Sequence, residues 1–213
     1  MVDSIGFDLD GTLWDYADRY ADIFAEVLEG QEGIHLPTVQ EVRNATGLAA
    51  LTYIETLFPR LKNASDTEKM ALFGKAEKIG CDLILQQGGR LYDGLEQMLK
   101  TLSERYSLFI ASNCEPLYLE NFLQFYGFRH YFSDVICQNL PGAKGTKGEN
   151  IRVVCERNGF SHPVFVGDAQ SDADAAKAAG VPFIWTTYGY GSVPDAVYRI
   201  DKPMDLVGLV ERM

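Results

Sequence analysis

Phe7-Asp8-Leu9-Asp10-Gly11-Thr12-Leu13 follows a short apolar run at residues 5 to 7 and sets two carboxylates two residues apart. The run is short enough to be a buried strand, and the acids fall where that strand should end. Side chains alternate along a strand, so Asp8 and Asp10 point the same way if the extended path continues. Gly11 then permits a sharp turn, and Thr12 offers a hydroxyl and a backbone N–H beyond it. Two close carboxylates are costly unless a cation or a proton separates them, so the pair implies a divalent metal or a shared proton. Taken alone it is equally a solvated acidic turn.

Downstream of this stretch the pattern becomes helical. Residues 14 to 29 carry Ile23, Val27 and Leu28 among acidic positions, with Gly30 and Gly33 as stops. Thr38 can cap a second helix, residues 49 to 58 read as a third, and Ser65-Asp66-Thr67-Glu68 opens a long fourth that ends at Gln87-Gly88-Gly89. Residues 15 to 88 thus read as helices with no convincing strand. Beyond Gly89 the chain alternates. Strands are expected at 108–111, 135–137, 163–166 and 182–186, and helices at 93–104, 116–126, 147–157 and 172–179. Strands separated by helices imply an α/β fold with a doubly wound parallel sheet and right-handed crossovers. Asp8 and Asp10 follow the first strand, Ser112 and Asn113 the second, and Asp168 the penultimate one. The C-terminal strand ends of such a sheet form one edge, where ligands bind at the topological switch point.

The 213 residues suit one large domain or one domain with an insertion, and 46% hydrophobic with 23% charged residues argue against long disorder. A formal charge of −11 makes nucleic acid or an anionic membrane an unfavourable partner. An anionic small substrate remains compatible, provided its pocket has its own positive charge. Cys81, Cys114, Cys137 and Cys155 are widely spaced, with no C-x-x-C, and fit reduced thiols of a cytoplasmic protein. Met1 runs almost directly into the first strand, so no signal peptide is expected, and no apolar run approaches membrane-spanning length.

In this order, DLDGT at residues 8 to 12, the Ser112-Asn113 strand end, Lys147 opening a helix, and Gly167-Asp168-Ala169-Gln170-Ser171-Asp172 resemble the haloacid dehalogenase-like hydrolase superfamily. Tyr92-Asp93-Gly94, Ala178-Ala179-Gly180-Val181 and Tyr188-Gly189-Tyr190-Gly191 look most like its phosphoglycolate phosphatase-like branch. The resemblance implies a Rossmann-like catalytic core formed by residues 1–14 and 89–213, with an all-helical cap inserted at 15–88. It implies Asp8 as nucleophile, forming an aspartyl-phosphate, and Asp10 as general acid and then base. Mg²⁺ would be held by Asp8, the Asp10 carbonyl and Asp168, with Asp172 holding a metal-bound water. Thr12, Ser112 and Asn113 would hold phosphoryl oxygens, and Lys147 would add positive charge on Asp8 and phosphate.

Lys144 lies in the same glycine-rich loop and competes for that role, because the family's common proline-rich form of the motif is absent. Arg43 is a candidate substrate contact from the cap, as are Arg19, Thr46, Gly47 and Tyr53. Both arginines are also readable as solvated helix charges. Residues near Trp14-Asp15 and Gly88-Gly89 would act as hinges. His35, His130 and His162 read as surface or packing residues. Among reactions, Asp10 favours phosphate chemistry over dehalogenation, and no cap lysine has the setting a phosphonatase needs. The expected function is Mg²⁺-dependent hydrolysis of a small phosphorylated metabolite by a monomer or homodimer. The alternatives are a phosphosugar mutase and a non-catalytic phosphometabolite-binding module.

Overall fold

In the computed structural model, which describes residues 1–31 and 33–213, the apolar run before Asp8 is strand β1 (Ser4–Phe7), buried along its whole length. A two-residue strand β2 (Trp14–Asp15) follows. Helices α1 (Ala17–Val27), α2 (Val39–Ala45), α3 (Ala50–Leu57) and α4 (Asp66–Gln87) come next, and a second two-residue strand, β3 (Arg90–Leu91), closes the segment. The chain continues through α5 (Leu95–Ser103), β4 (Ser107–Ala111), α6 (Pro116–Tyr126), β5 (Phe132–Ile136) and α7 (Lys147–Asn158). It ends with β6 (Pro163–Gly167), α8 (Gln170–Ala179), β7 (Phe183–Thr186), β8 (Tyr198–Ile200) and α9 (Asp205–Val210).

Six of these strands form one parallel sheet in the order β5-β4-β1-β6-β7-β8. The chain steps outward from β1 through β4 and β5, then returns to the other side of β1 and steps outward again. The direction of winding therefore reverses beside β1, and the C-terminal ends of β1, β4 and β6 frame a crevice. Period-two alternation explains the layers. Ile5, Phe7, Leu108, Ile110, Val164 and Val166 share one apolar cluster with Leu99 of α5 and Phe122 of α6. Phe109, Ala111 and Phe165 pack instead with Ile151 and Val154 of α7 and Ala176 of α8. Each large apolar side chain contributes about 1.5–3 kcal/mol when fully buried, so a sheet covered on both faces accounts for the continuous apolar runs seen in the sequence.

A third apolar cluster belongs to the inserted helices. Ile23 and Phe24 of α1, Val42 of α2, Ile54 and Leu57 of α3, and Ala76 of α4 meet there. Capping boxes start α2 (Thr38 with Glu41) and α4 (Ser65 with Glu68), as the sequence suggests. The chain leaves the sheet at β2 and returns at β3, which pair antiparallel through Trp14↔Leu91 and Asp15↔Arg90. None of the described helices is long and apolar enough to cross a membrane.

Three expectations need correction. The helix expected from residue 14 begins at Ala17, because Trp14 stacks on Tyr16 with ring centroids 4.7 Å apart and Asp15 is drawn into the ribbon with Arg90. β8 and α9 have no counterpart among the expected elements. β8 is an edge strand whose three residues include two exposed ones, so it lacks an apolar run, and α9 has just six residues. The strand expected at 135–137 starts earlier, at Phe132, since its exposed Ser133 and half-buried Asp134 interrupt the apolar pattern.

Candidate active site

β1 ends at Phe7, and Asp8 continues its line by donating its N–H to the Val166 carbonyl (2.9 Å). The chain then turns tightly, Leu13 N–H bonding the Leu9 carbonyl (2.8 Å) and Gly11 N–H the Trp14 carbonyl (2.9 Å). Gly11 has φ +78°, and a Cβ there would lie 2.4 Å from Asp168 Oδ2. Across the crevice a Cβ at Gly189 would lie 2.2 Å from Asp168 Cβ. The two glycines let the loops after β1 and β7 close on the carboxylate that follows β6.

Lys147, the first residue of α7, donates from Nζ to Asp8 Oδ1 (2.9 Å) and to Asp172 Oδ1 (2.6 Å). The other oxygen of Asp172 accepts the backbone N–H groups of Asp168 (3.2 Å) and Ala169 (3.1 Å). Asp168 Oδ2 accepts those of Tyr190 (2.7 Å) and Gly191 (3.2 Å). All four side chains are buried. Burial raises the pKa of Asp8 to about 6, helped by the charge of Asp172 and opposed by Lys147. It raises that of Asp168 to about 7, with Asp172 and Asp8 adding to the effect. Burial alone would lower the Lys147 pKa, yet Asp172 and Asp8 overcome it and hold the ammonium charged.

Asp8, Asp168 and Asp172 each bring a carboxylate oxygen within 4.8 Å of the others. With all three carboxylates ionised, one ammonium leaves two negative charges in a buried place. A hard divalent cation fits that donor set in both charge and ligand type.

Asp10 stands beside the cluster. Its Oδ1 receives both Tyr118 OH (2.7 Å) and Trp14 Nε1 (3.0 Å). Burial raises its pKa to about 7, the Tyr118 hydrogen bond opposing and the Asp8 charge reinforcing the shift. Ser112, after β4, is buried and accepts the Cys114 N–H on Oγ (3.3 Å). Asn113 turns toward the helices, donating to the Gly47 carbonyl (2.9 Å). Thr12 is buried with no partner for Oγ1 among the described residues and lies outside the lining of both cavities described below. Between the two lysines, Lys147 reaches Asp8. Lys144 contributes its backbone N–H to Asn150 Oδ1 (2.6 Å).

Two cavities meet at Asp8 and Asp10. One, about 260 Å³, is lined by Lys147, Asp168, Asp172 and Ser171 with Arg43, Asn44 and Tyr190. The other, about 90 Å³, runs from the acids under the inserted helices, past Ser112, Tyr118, Thr46 and Gly47 to Tyr53 and Glu77. Arg43 faces the first, but its guanidinium is shared with Asp15 Oδ2 (2.6 Å) and lies over the Tyr190 ring (5.7 Å). Asp15 also binds Arg90 and accepts Tyr190 OH on Oδ1 (2.8 Å). It therefore joins α2, β3 and the loop after β7.

Arg19 lines neither cavity, and Lys69 is engaged by Glu55 (2.6 Å). His35 pairs with Glu41, His130 bonds the Gly127 carbonyl, and the backbone N–H of His162 bonds Asp3, all outside the lining of both cavities.

Sequence reasoning missed Tyr118, Asp15 and Glu77. Tyr118 had a usable signal, since it lies in the first turn of the helix that follows Ser112. Asp15 was named only as part of a hinge, without its partners, and for Glu77 the sequence showed an acid on a helical stretch and nothing more.

Similarity to known proteins agrees with this geometry. Residues 2–180 match the family model described as "Hydrolase: haloacid dehalogenase-like hydrolase". A phosphoglycolate phosphatase of Haemophilus influenzae (strain 86-028NP) is 29% identical over 198 residues, covering 87% of this chain and 86% of that protein. One from Rhodobacter capsulatus is 29% identical over 225 residues, with 99% and 98% covered. The crystal structure of a predicted phosphoglycolate phosphatase from Haemophilus somnus 129pt superposes with a TM-score of 0.84 at 24% identity, covering 98% of both chains, and so shares the fold. With a parallel sheet that reverses its winding beside Asp8 and a family model spanning most of its length, the chain belongs to the haloacid dehalogenase-like hydrolases.

Proposed function

We propose that the chain is a phosphatase that hydrolyses a small-molecule phosphomonoester through an aspartyl-phosphate on Asp8. The observation that carries this reading is the buried Lys147 bridge between Asp8 and Asp172, set beside an Asp10 whose Oδ1 is pinned by two donors. The names of the phosphoglycolate phosphatase relatives support the reaction class.

In the first half-reaction an oxygen of Asp8 forms a bond to phosphorus while the bond from phosphorus to the alcohol oxygen breaks. Asp10 gives that oxygen its proton. Because Oδ1 is occupied by Tyr118 and Trp14, the proton is carried on Oδ2. In the second half-reaction Asp10 takes a proton from water as the water oxygen attacks phosphorus, the bond to Asp8 breaks and phosphate leaves. Lys147 holds Asp8 in line and offsets charge on the phosphoryl oxygens, to which the Ser112 hydroxyl turns to donate. Asp8, Asp168 and the Asp10 carbonyl, with Asp172 behind them, would hold Mg²⁺, which when bound would supply further positive charge at those oxygens.

In this reading residues 15–88 act as a lid over a catalytic unit of 1–14 and 89–213, with the β2–β3 ribbon as its hinge. The cytoplasm suits its free thiols at Cys81, Cys114, Cys137 and Cys155.

The test is hydrolysis of p-nitrophenyl phosphate in Mg²⁺. Asp8→Asn is expected to lower kcat on the order of 10⁴-fold or more, and excess chelator to stop the wild-type reaction. Turnover surviving either treatment would refute the mechanism.

A further inference from the structure

Beyond Asp10 the smaller cavity changes character. Its walls there include Tyr16, Tyr20, Tyr53, Phe73 and Tyr118. Three of the tyrosines use their hydroxyl hydrogens within the protein: Tyr16 on the Gly80 carbonyl (2.9 Å), Tyr20 on Glu77 Oε2 (2.6 Å) and Tyr118 on Asp10 (2.7 Å). They also pack on one another with ring centroids 5.8 to 6.3 Å apart, so their faces are held in place. Apart from Asp8 and Asp10, the acidic groups in the lining are Glu77 and Glu115, and among the described lining residues none is Lys, Arg or His.

Glu115 is held by Asn139 Nδ2 (3.0 Å). Glu77 is less satisfied. Its Oε2 takes Tyr20, but Oε1 has only the weak Cys81 thiol at 3.7 Å, leaving room for another donor. Glu77 lines the same cavity as Asp8 and Asp10. The feature that would favour an anion is the uncapped N-terminus of α3 at Ala50. A partial charge at an exposed helix end is weak beside the carboxylates of Glu77 and Glu115, although burial raises the pKa of Glu77.

We infer that the alcohol half of the substrate has a small apolar body, carries no negative charge of its own, and presents a hydroxyl or amine hydrogen that Glu77 accepts. This rests on the phosphatase reading above. It separates the chain from its relatives' namesake, because 2-phosphoglycolate brings a carboxylate into the same space.

The experiment compares kcat/KM for propyl phosphate, phosphoethanolamine and 2-phosphoglycolate, three primary alkyl esters of similar size, in the wild-type enzyme with Mg²⁺. The two esters without a carboxylate are expected to exceed 2-phosphoglycolate by about tenfold or more, with phosphoethanolamine first. Glu77→Gln should narrow the lead of phosphoethanolamine by about tenfold, the worth of one hydrogen bond to a charged group. Equal or faster use of 2-phosphoglycolate overturns the inference, as does an unchanged preference in Glu77→Gln, while p-nitrophenyl phosphate turnover keeps the phosphatase reading standing. If p-nitrophenyl phosphate is inert as well, both fall together.

Discussion

At the sheet edge Lys147 bridges Asp8 and Asp172, and four backbone N–H groups bond Asp172 and Asp168, whereas Glu77 and Glu115 line a cavity of aromatic rings with no cation among its described lining residues. The first region fixes charge with backbone groups whose positions are set by the end of β6, the start of α8 and the loop after β7. Little there can move without breaking a strand. The second is shaped by side chains from α1, α3, α4 and α6, four helices joined by packing and by a few side-chain bonds such as Tyr20 to Glu77 and Asn121 to the Cys81 carbonyl. The contrast teaches a division of labour. A site held by backbone N–H groups and one lysine suits a reaction shared by many substrates, and a helix-built wall without a cation among its described residues suits the choice among them.

The comparison can be broken most decisively at Lys147. Lys147→Ala leaves Asp8 and Asp172 facing each other without their shared cation, and kcat on p-nitrophenyl phosphate is expected to fall about 10²–10³-fold. A kcat within twofold of wild type would mean that the edge is not held by charge compensation.

Next in size is the response to Mg²⁺. Saturating the wild-type protein at about 100 times its Kd should stabilise it by about 2.7 kcal/mol, read as a rise in Tm, and Asp168→Asn should lose most of that rise. An equal shift in the variant would place the cation elsewhere.

Asp15 lies between the two regions and ties Arg43 of α2 to Arg90 and Tyr190. Although burial acts to raise its pKa, the hydrogen bonds from Arg90, Tyr190 and Arg43 outweigh it and hold it below the ordinary value of 3.8. A depressed folded-state pKa gives stability that is present above the unfolded value and lost as pH falls through the folded one. Asp15→Asn should therefore cost about 2 kcal/mol at pH 7, and the gap between variant and wild type should close in acid, below about pH 3.9. A gap that stays constant from neutral to acid pH would show that the carboxylate charge is not what joins the two regions.

The smallest effect serves as a control on the helical side. Ser65→Ala removes the α4 capping box and should lower stability by about 1 kcal/mol, while kcat on p-nitrophenyl phosphate remains within twofold of wild type. A large loss of kcat would show that helix stability and chemistry are not separable.

Much of the sheet was legible because a strand buried on both faces needs an unbroken apolar run, as at Ile5 to Phe7 and Val164 to Val166. Asp8, Ser112, Lys147 and Asp168 were legible because each sits immediately beside such a strand end or opens a helix. β8 left no trace, since an edge strand with two exposed residues has no pattern to show. Arg43 was visible as a candidate but not its partner, because the Asp15 ion pair spans 28 positions and depends on how α2 settles against β2.

What the sequence determined by itself was whatever local rules control: alternating elements, turn glycines, helix caps, and the pair of acids at the end of the first strand. Packing decided the rest. The Lys147 bridge joins residues 139 and 25 positions apart, Tyr118 reaches Asp10 across 108 positions, and the aromatic cavity around Glu77 draws on four separate helices. Such pairings are set by the sheet order and by the angles at which helices meet, and those follow from the three-dimensional fit of apolar surfaces rather than from any spacing along the chain.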